Sequence, residues 1–301
     1  MESYFLGANT KAGFFSLYGD FPPEGAYLHI LKGGPGTGKS SLLKAIAKAA
    51  KARGLAVEQV LCSGDPDSLD GIYIPALGQA WADGTAPHVL EPRLLGVTGD
   101  YLDLSAYLLL PFSQAEKQEL LSLQAQNREC YRLAYKSLAY CAAKGGSRTE
   151  QVDDGEVRKL LEALPEKGDR RTARRCFLSA ISCRGRLCLD AQLSDCVTLP
   201  ATPAFISRAA ELAQERGYQA FLCLSPLDPA LPEALVLPGE KLLLKAVFRP
   251  SEEASEAMGE ALSRLNEAKR LHDRMELVYR PHMDFRSLSE YTEQLIRKLF
   301  L

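Results

Sequence analysis

The chain lacks an apolar run long enough to cross a membrane, which takes roughly 20 residues. The longest candidate, residues 107–112, is short and contains Pro111. It also lacks a basic segment followed by an apolar one near its start, Met-Glu-Ser-Tyr-Phe-Leu-Gly, so no signal peptide is expected. The expectation is a cytoplasmic protein with no membrane partner. Its eight cysteines include no C-x-x-C pair, and the tightest spacing is Cys183 to Cys188, which argues against a zinc site. Most lie in apolar runs, where a reduced cysteine serves as a small hydrophobe. Charge of either sign is not in excess: 36 Lys and Arg against 38 Asp and Glu give a net charge of −2, so a surface built throughout for nucleic acid is not expected. Arg170, Arg171, Arg174 and Arg175 form a basic cluster between the halves, for which a solvated linker helix is the preferred reading and an arginine finger or a local nucleic-acid patch the alternative.

What is present is more specific. Residues 33–40 read Gly33, Gly34, Pro35, Gly36, Thr37, Gly38, Lys39 and Ser40, a complete G-x-x-x-x-G-K-[ST] pattern between an apolar run at 27–31 and a helical one at 41–51. Glycines let such a loop turn its N–H groups onto a phosphate, and the helix start adds positive potential. Lys39 would reach the β- and γ-phosphates, Ser40 would ligate Mg²⁺, and Ser41 would open the helix beside them. No Asn-Lys-x-Asp guanine motif and no transporter-type Leu-Ser-Gly-Gly-Gln occurs, so ATP is the expected nucleotide.

The remainder alternates short apolar runs at 4–6, 57–62, 72–74 and 79–82 with helical stretches, and this predicts a largely parallel sheet flanked by helices. A helical lobe is expected from Ser113, which with Glu116 forms a capping box, to about Lys144, where Gly145-Gly146 stops the helix. The second half echoes the first. Residues 176–185 lie against 4–13, the helix at 204–216 ends in Arg-Gly as the first does at Arg53-Gly54, and Asp228-Pro229 and Leu237-Pro238 match Asp65-Pro66 and Ile74-Pro75. A helix at 251–279, ended by Pro281, follows the second sheet as well. Two domains are therefore expected: 1–168, with the helical lobe at about 113–168, and 169–301.

Aligned with one short deletion in the helix, the second copy places Ala201, Thr202, Ala204, Ile206, Ser207 and Arg208 where the first has its loop glycines, Lys39 and Ser40. Residues lost along with the loop are candidates for having worked with it. Asn9, Thr10 and Lys11 face Ile181, Ser182 and Cys183; Asp83 faces Ala246 and His88 faces Ser251. Asp83 is then the preferred carboxylate for Mg²⁺, with Asp67 second, while Asp65, retained as Asp228, reads as a turn cap. His88 would orient a nucleophile or sense the terminal phosphate; Lys11 would add charge, and Asn9 and Thr10 would meet the base or ribose. A polar turn accounts for residues 9–11 equally well.

The runs at 5–14, 31–40, 62–71 and 83–88, with 268–273 and 281–285 near the end, together resemble an uncharacterised bacterial family of tandem P-loop ATPase-like proteins. That resemblance implies two P-loop modules and nucleotide binding. Longer members carry a second intact loop, which this chain does not, so a single ATP site is expected. Three activities remain open on the residues: Mg-dependent ATP hydrolysis, phosphoryl transfer to a small acceptor under the 113–144 helix, or a nucleotide-switched scaffold for a partner protein.

Overall fold

The computed structural model describes residues 1–144, 159–246 and 251–301; the expected stop at Gly145-Gly146 lies outside the described residues. The chain is α/β and divides into two compact units, each drawn from two main stretches of sequence: Ser3–Asp20 with Tyr135–Leu262, and Phe21–Ala134 with Ser263–Leu301. The sequence reading divides it instead at 168/169. No helix among the described residues is long and apolar enough to cross a membrane.

The unit containing residues 21–134 holds five strands in the order Glu58–Leu61, Leu69–Ile74, Gln79–Asp83, Tyr27–Lys32 and Gly99–Asp103. Tyr27–Lys32 runs parallel to both of its neighbours, but Leu69–Ile74 is antiparallel to both of its own. The sheet is therefore mixed, not largely parallel. The reason is connection length: residues 62–68 and 75–78 are too few for the crossover of a dozen or more residues that parallel neighbours require.

Helix Lys39–Lys51 covers this sheet with Leu42, Leu43, Ile46, Ala47 and Ala50, a helical spacing whose members pack with Leu31, Ile72, Ile74 and Trp81 in one core. It ends through Gly54, which supplies the left-handed φ of 73°. The expected capping box is formed at the head of helix Gln114–Lys144. There Ser113 N donates to Glu116 Oε2 at 2.7 Å and Glu116 N to Ser113 Oγ at 3.2 Å. Beyond the expected helix, Glu252–Tyr279, lies a further one, Phe285–Leu299, capped by Asp284.

The other unit has a sheet in the order Val197–Ala201, Leu242–Ala246, Pro232–Leu237, Phe221–Leu224 and Arg174–Cys176. It too is mixed, with the two outer pairs parallel and the central pairs antiparallel. Leu31 pairs with Asp83 in one sheet and Ala201 with Ala246 in the other, and each sheet has a register shift at the same place in its hairpin, Val60/Leu61 and Cys223/Leu224. Two hairpins, Gly7–Thr10 with Gly13–Ser16 and Ser179–Ser182 with Gly185–Cys188, also belong to this unit. Their leading residues bond reciprocally, Phe5 N to Phe177 O at 3.0 Å and Phe177 N to Phe5 O at 2.9 Å. Of the arginine cluster, Arg174 lies in a strand and stacks over Tyr4 and Phe221, and Arg175 pairs with Asp20. These two are strand residues and not part of a linker helix.

One alignment in the sequence reading needs correcting. Helices Lys39–Lys51 and Pro203–Glu215 have the same 13-residue length, so the deletion does not fall in the helix. Strand Val197–Ala201 passes into its helix through Thr202 alone, whereas residues 33–38 separate Lys32 from Lys39. Thr202 caps its helix through a bond from Phe205 N at 3.1 Å. Helix length is set by the sheet that the helix must cover, so the chain shortens where no core is lost.

Candidate functional site

The loop at 33–38 leaves the C-terminal end of strand Tyr27–Lys32, which lies between Gln79–Asp83 and Gly99–Asp103, and enters helix Lys39–Lys51 with Gly38, at φ 95°, as its N-cap. Gly36 also takes a left-handed φ, 69°, which a side chain would strain. Thr37 is buried and its hydroxyl donates to Gly34 O at 2.9 Å; Pro35 is half-buried and Ser41 exposed. Lys39 Nζ donates to Gly33 O at 2.6 Å and Gly34 O at 2.9 Å, which folds the lysine over its own loop.

Asp83 is the last residue of the parallel strand beside the loop strand, and this brings its Oδ2 to 3.7 Å from Lys39 Nζ, both side chains being largely buried. Its Oδ1 accepts from Thr85 N at 2.8 Å and Thr85 Oγ1 at 2.6 Å, which fixes the carboxylate plane with Oδ2 turned to the lysine. Ser40 Oγ accepts from Leu69 N at 2.9 Å and keeps its own proton to donate. Ser40 and Asp83 thus offer two hard oxygens, a donor set that suits Mg²⁺ when phosphate and water complete the shell. Among the described residues no cluster of three or more His, Cys, Asp or Glu side chains could hold a metal alone.

His88 and Asp70 form a buried pair behind these groups, with Nε2 3.1 Å from Oδ2. Burial alone would lower the His88 pKa, but the charge and hydrogen bond of Asp70, with a contribution from Asp83, raise it above its ordinary value. Burial chiefly, and Asp70 next, push the Cys62 thiol well up, so it stays protonated. Asp70 had no signal in the sequence beyond being one acid in a polar stretch. Its counterpart in the other sheet, again the second residue of its strand, is Glu233, which is buried and accepts from Ser179 Oγ at 2.6 Å and from Arg186 Nη2 at 3.1 Å. Asp65 accepts from Ser68 Oγ at 3.3 Å and pairs with Lys269 at 3.3 Å, while Asp67 N donates to Asp65 Oδ1 at 3.3 Å.

Asn9, Thr10 and Lys11 belong to the other unit. There Asn9 Nδ2 donates to Ile181 O at 2.8 Å and Tyr135 OH donates to Asn9 Oδ1 at 3.2 Å. The Thr10 hydroxyl donates to Gly13 O at 2.7 Å, and Lys11 pairs with Asp228 at 2.5 Å. The polar-turn reading accounts for these bonds without a ligand.

Comparison with family models, curated proteins and solved structures returned no match for the chain.

The part of the site with no local sequence signal is its cover. A Cβ on Gly34 would stand 2.6 Å from the ring of Tyr279, one on Gly36 would stand 3.1 Å from Glu276 Cα, and one on Gly38 would stand 2.9 Å from Leu288 Cδ2. Gly36 and Gly38 are therefore required both by backbone angle and by close approach of the two C-terminal helices, and Gly34 by close approach alone. Gly34→Ala should cost about 1–3 kcal/mol through overpacking, and much less in a Tyr279→Ala background. Denaturant unfolding of the four chains checks this, and equal costs in both backgrounds would show that Tyr279 is not the obstacle.

Proposed function

We propose that residues 33–41 form a single Mg-ATP site and that the protein hydrolyses ATP there, with the second copy a structural or regulatory module. The observation that carries this is the meeting of Lys39, at the head of the loop helix, with Asp83, at the end of the adjacent parallel strand, 3.7 Å apart. A phosphate-binding loop needs that pair: a cation for the β- and γ-phosphates and a carboxylate for the metal. Loop N–H groups and the helix start would hold the phosphates in place of the carbonyls that Lys39 now bonds. Ser40 and Asp83 would hold Mg²⁺, which supplies charge neutralisation when bound. Four strands that match in order and direction between the sheets, and the paired hairpins, favour an origin by duplication, in keeping with the tandem P-loop ATPase-like family that the sequence resembles.

The test is Mg²⁺-dependent phosphate release from ATP, compared across wild type, Asp83→Asn and Asp65→Asn. Asp83→Asn should lower turnover about 100-fold and weaken the Mg²⁺ dependence, as loss of a metal ligand does. Asp65→Asn, which loosens a turn and the Lys269 pair, should stay within about threefold of wild type. The reverse order would reject Asp83. ADP formed without free phosphate when a metabolite is added would assign phosphoryl transfer instead, and stoichiometric binding without turnover a switch.

A further inference from the structure

Helix Glu252–Tyr279 presents Lys269, His272, Glu276 and Tyr279 at spacings of three and four residues, which puts them on one face. Glu276 and Tyr279 lie on loop residues Gly36 and Gly34, so this is the face turned to the phosphate loop. Lys269 pairs with Asp65 and with Asp273, anchoring the helix to the turn that follows strand Glu58–Leu61. Between anchor and loop, His272 Nδ1 lies 3.5 Å from Glu276 Oε1. The His272 side chain is 44% exposed, so water reaches it, unlike the buried His88, whose Nε2 is committed to Asp70.

Four charged groups face His272: Glu276 and Asp273 favour the imidazolium, while Lys269 and Lys39 oppose it. Burial is the largest influence, and the net effect lowers the pKa, so the ring is neutral at pH 7. A carboxylate accepts only, so Glu276 favours the tautomer with its proton on Nδ1 and Nε2 as the acceptor.

We propose that His272, beside Glu276 on the helix face turned to the loop, orients the water that attacks the terminal phosphate. This rests on the Mg-ATP reading above and extends it to a residue outside the loop motif. As the water oxygen bonds the γ-phosphorus and the β–γ bridging bond breaks, one water proton passes to Nε2; the products are ADP and inorganic phosphate. Lys39 and the loop stabilise the departing charge, and Glu276 stabilises the imidazolium that forms.

The experiment measures three quantities for wild type, His272→Ala, Arg270→Ala and Lys39→Ala: affinity for Mg-ADP, affinity for Mg-ADP with aluminium fluoride, and phosphate release. His272→Ala should bind ADP within about twofold of wild type, bind the aluminium fluoride complex about tenfold more weakly, and release phosphate about 100-fold more slowly. Arg270→Ala, on the exposed face of the same helix, should match wild type in all three. A His272→Ala chain that keeps its preference for aluminium fluoride overturns the proposal. So does a parallel loss of ADP affinity or melting temperature, which would mean a packing role, and so does a wild type that neither prefers the complex nor releases phosphate. If Lys39→Ala binds nucleotide as well as wild type does, the nucleotide reading itself fails; if Lys39→Ala loses binding while His272→Ala is unchanged, only the His272 assignment falls.

Discussion

Lys39→Ala should weaken ATP binding by at least about 100-fold and abolish measurable phosphate release, because in the proposed site it removes the loop cation that would meet the β- and γ-phosphates. The magnitude follows from the charge-assisted bonds lost. Two such bonds to phosphate oxygens at about 1.5 kcal/mol each amount to roughly a hundredfold in affinity, and a largely buried setting raises that figure. The fold should survive. Lys39 bonds carbonyls of its own loop, its partner Asp83 is 3.7 Å away and stays bonded by Thr85, and helix Lys39–Lys51 is held by its apolar face, which the substitution leaves untouched. Lys39→Met keeps the stem and removes only the charge, so equal losses in Met and Ala variants would assign the effect to the ammonium group. Titration calorimetry with ATP reads the result, and unchanged affinity in both variants would remove the nucleotide site from this loop.

The largest effect on stability is expected at Asp70. Asp70→Ala should lower the unfolding free energy by about 3–5 kcal/mol, the cost of removing one partner from a buried ion pair and leaving the other without its counter-charge. A pH signature accompanies it. The folded-state pKa of His88 is raised above the ordinary 6.5 despite burial, which opposes it, so the protonated histidine favours the folded state. Its contribution is fully present below about pH 6.5 and is lost as the pH rises through the raised folded value. Wild type should therefore lose stability on going from pH 6 to pH 8 at this pair, whereas Asp70→Asn, without the carboxylate that raises the histidine, should show little of that loss. Urea unfolding at the two pH values checks both statements; a wild-type curve with the same slope as Asp70→Asn would show that His88 is not charged in the fold.

How much could be read in advance depended on the range of the forces involved. The glycine-rich loop at 33–38, helix Lys39–Lys51, the capping box at Ser113 and Glu116, and the strand that ends at Asp83 all follow from neighbours within a few residues, and all appear where the residues placed them. The direction of the strands did not. Alternating apolar runs report burial but not whether a strand returns antiparallel, and short connections decided that here. Comparison of the two similar halves of the sequence pointed to Asp83 yet misplaced the deletion, because letter matching has no knowledge of the 13 residues that each helix needs to cover its sheet. Asp70 was passed over for a similar reason. Its importance comes from His88, a strand and a turn away, and not from the residues beside it.

By itself the sequence determined where a glycine-rich loop ending in Lys39 and Ser40 joins a strand to a helix, since four glycines, a lysine and a serine at fixed spacing set the loop's backbone freedom and charge there, and it is the segment proposed to hold phosphates. Only the tertiary structure decided what stands around it. Asp83 reaches Lys39 through the register of two parallel strands, and Glu276, Tyr279 and Leu288 reach the loop glycines from helices more than 200 residues further along the chain. Contacts of that separation come from packing apolar faces against one another, which leaves no periodicity near the loop itself.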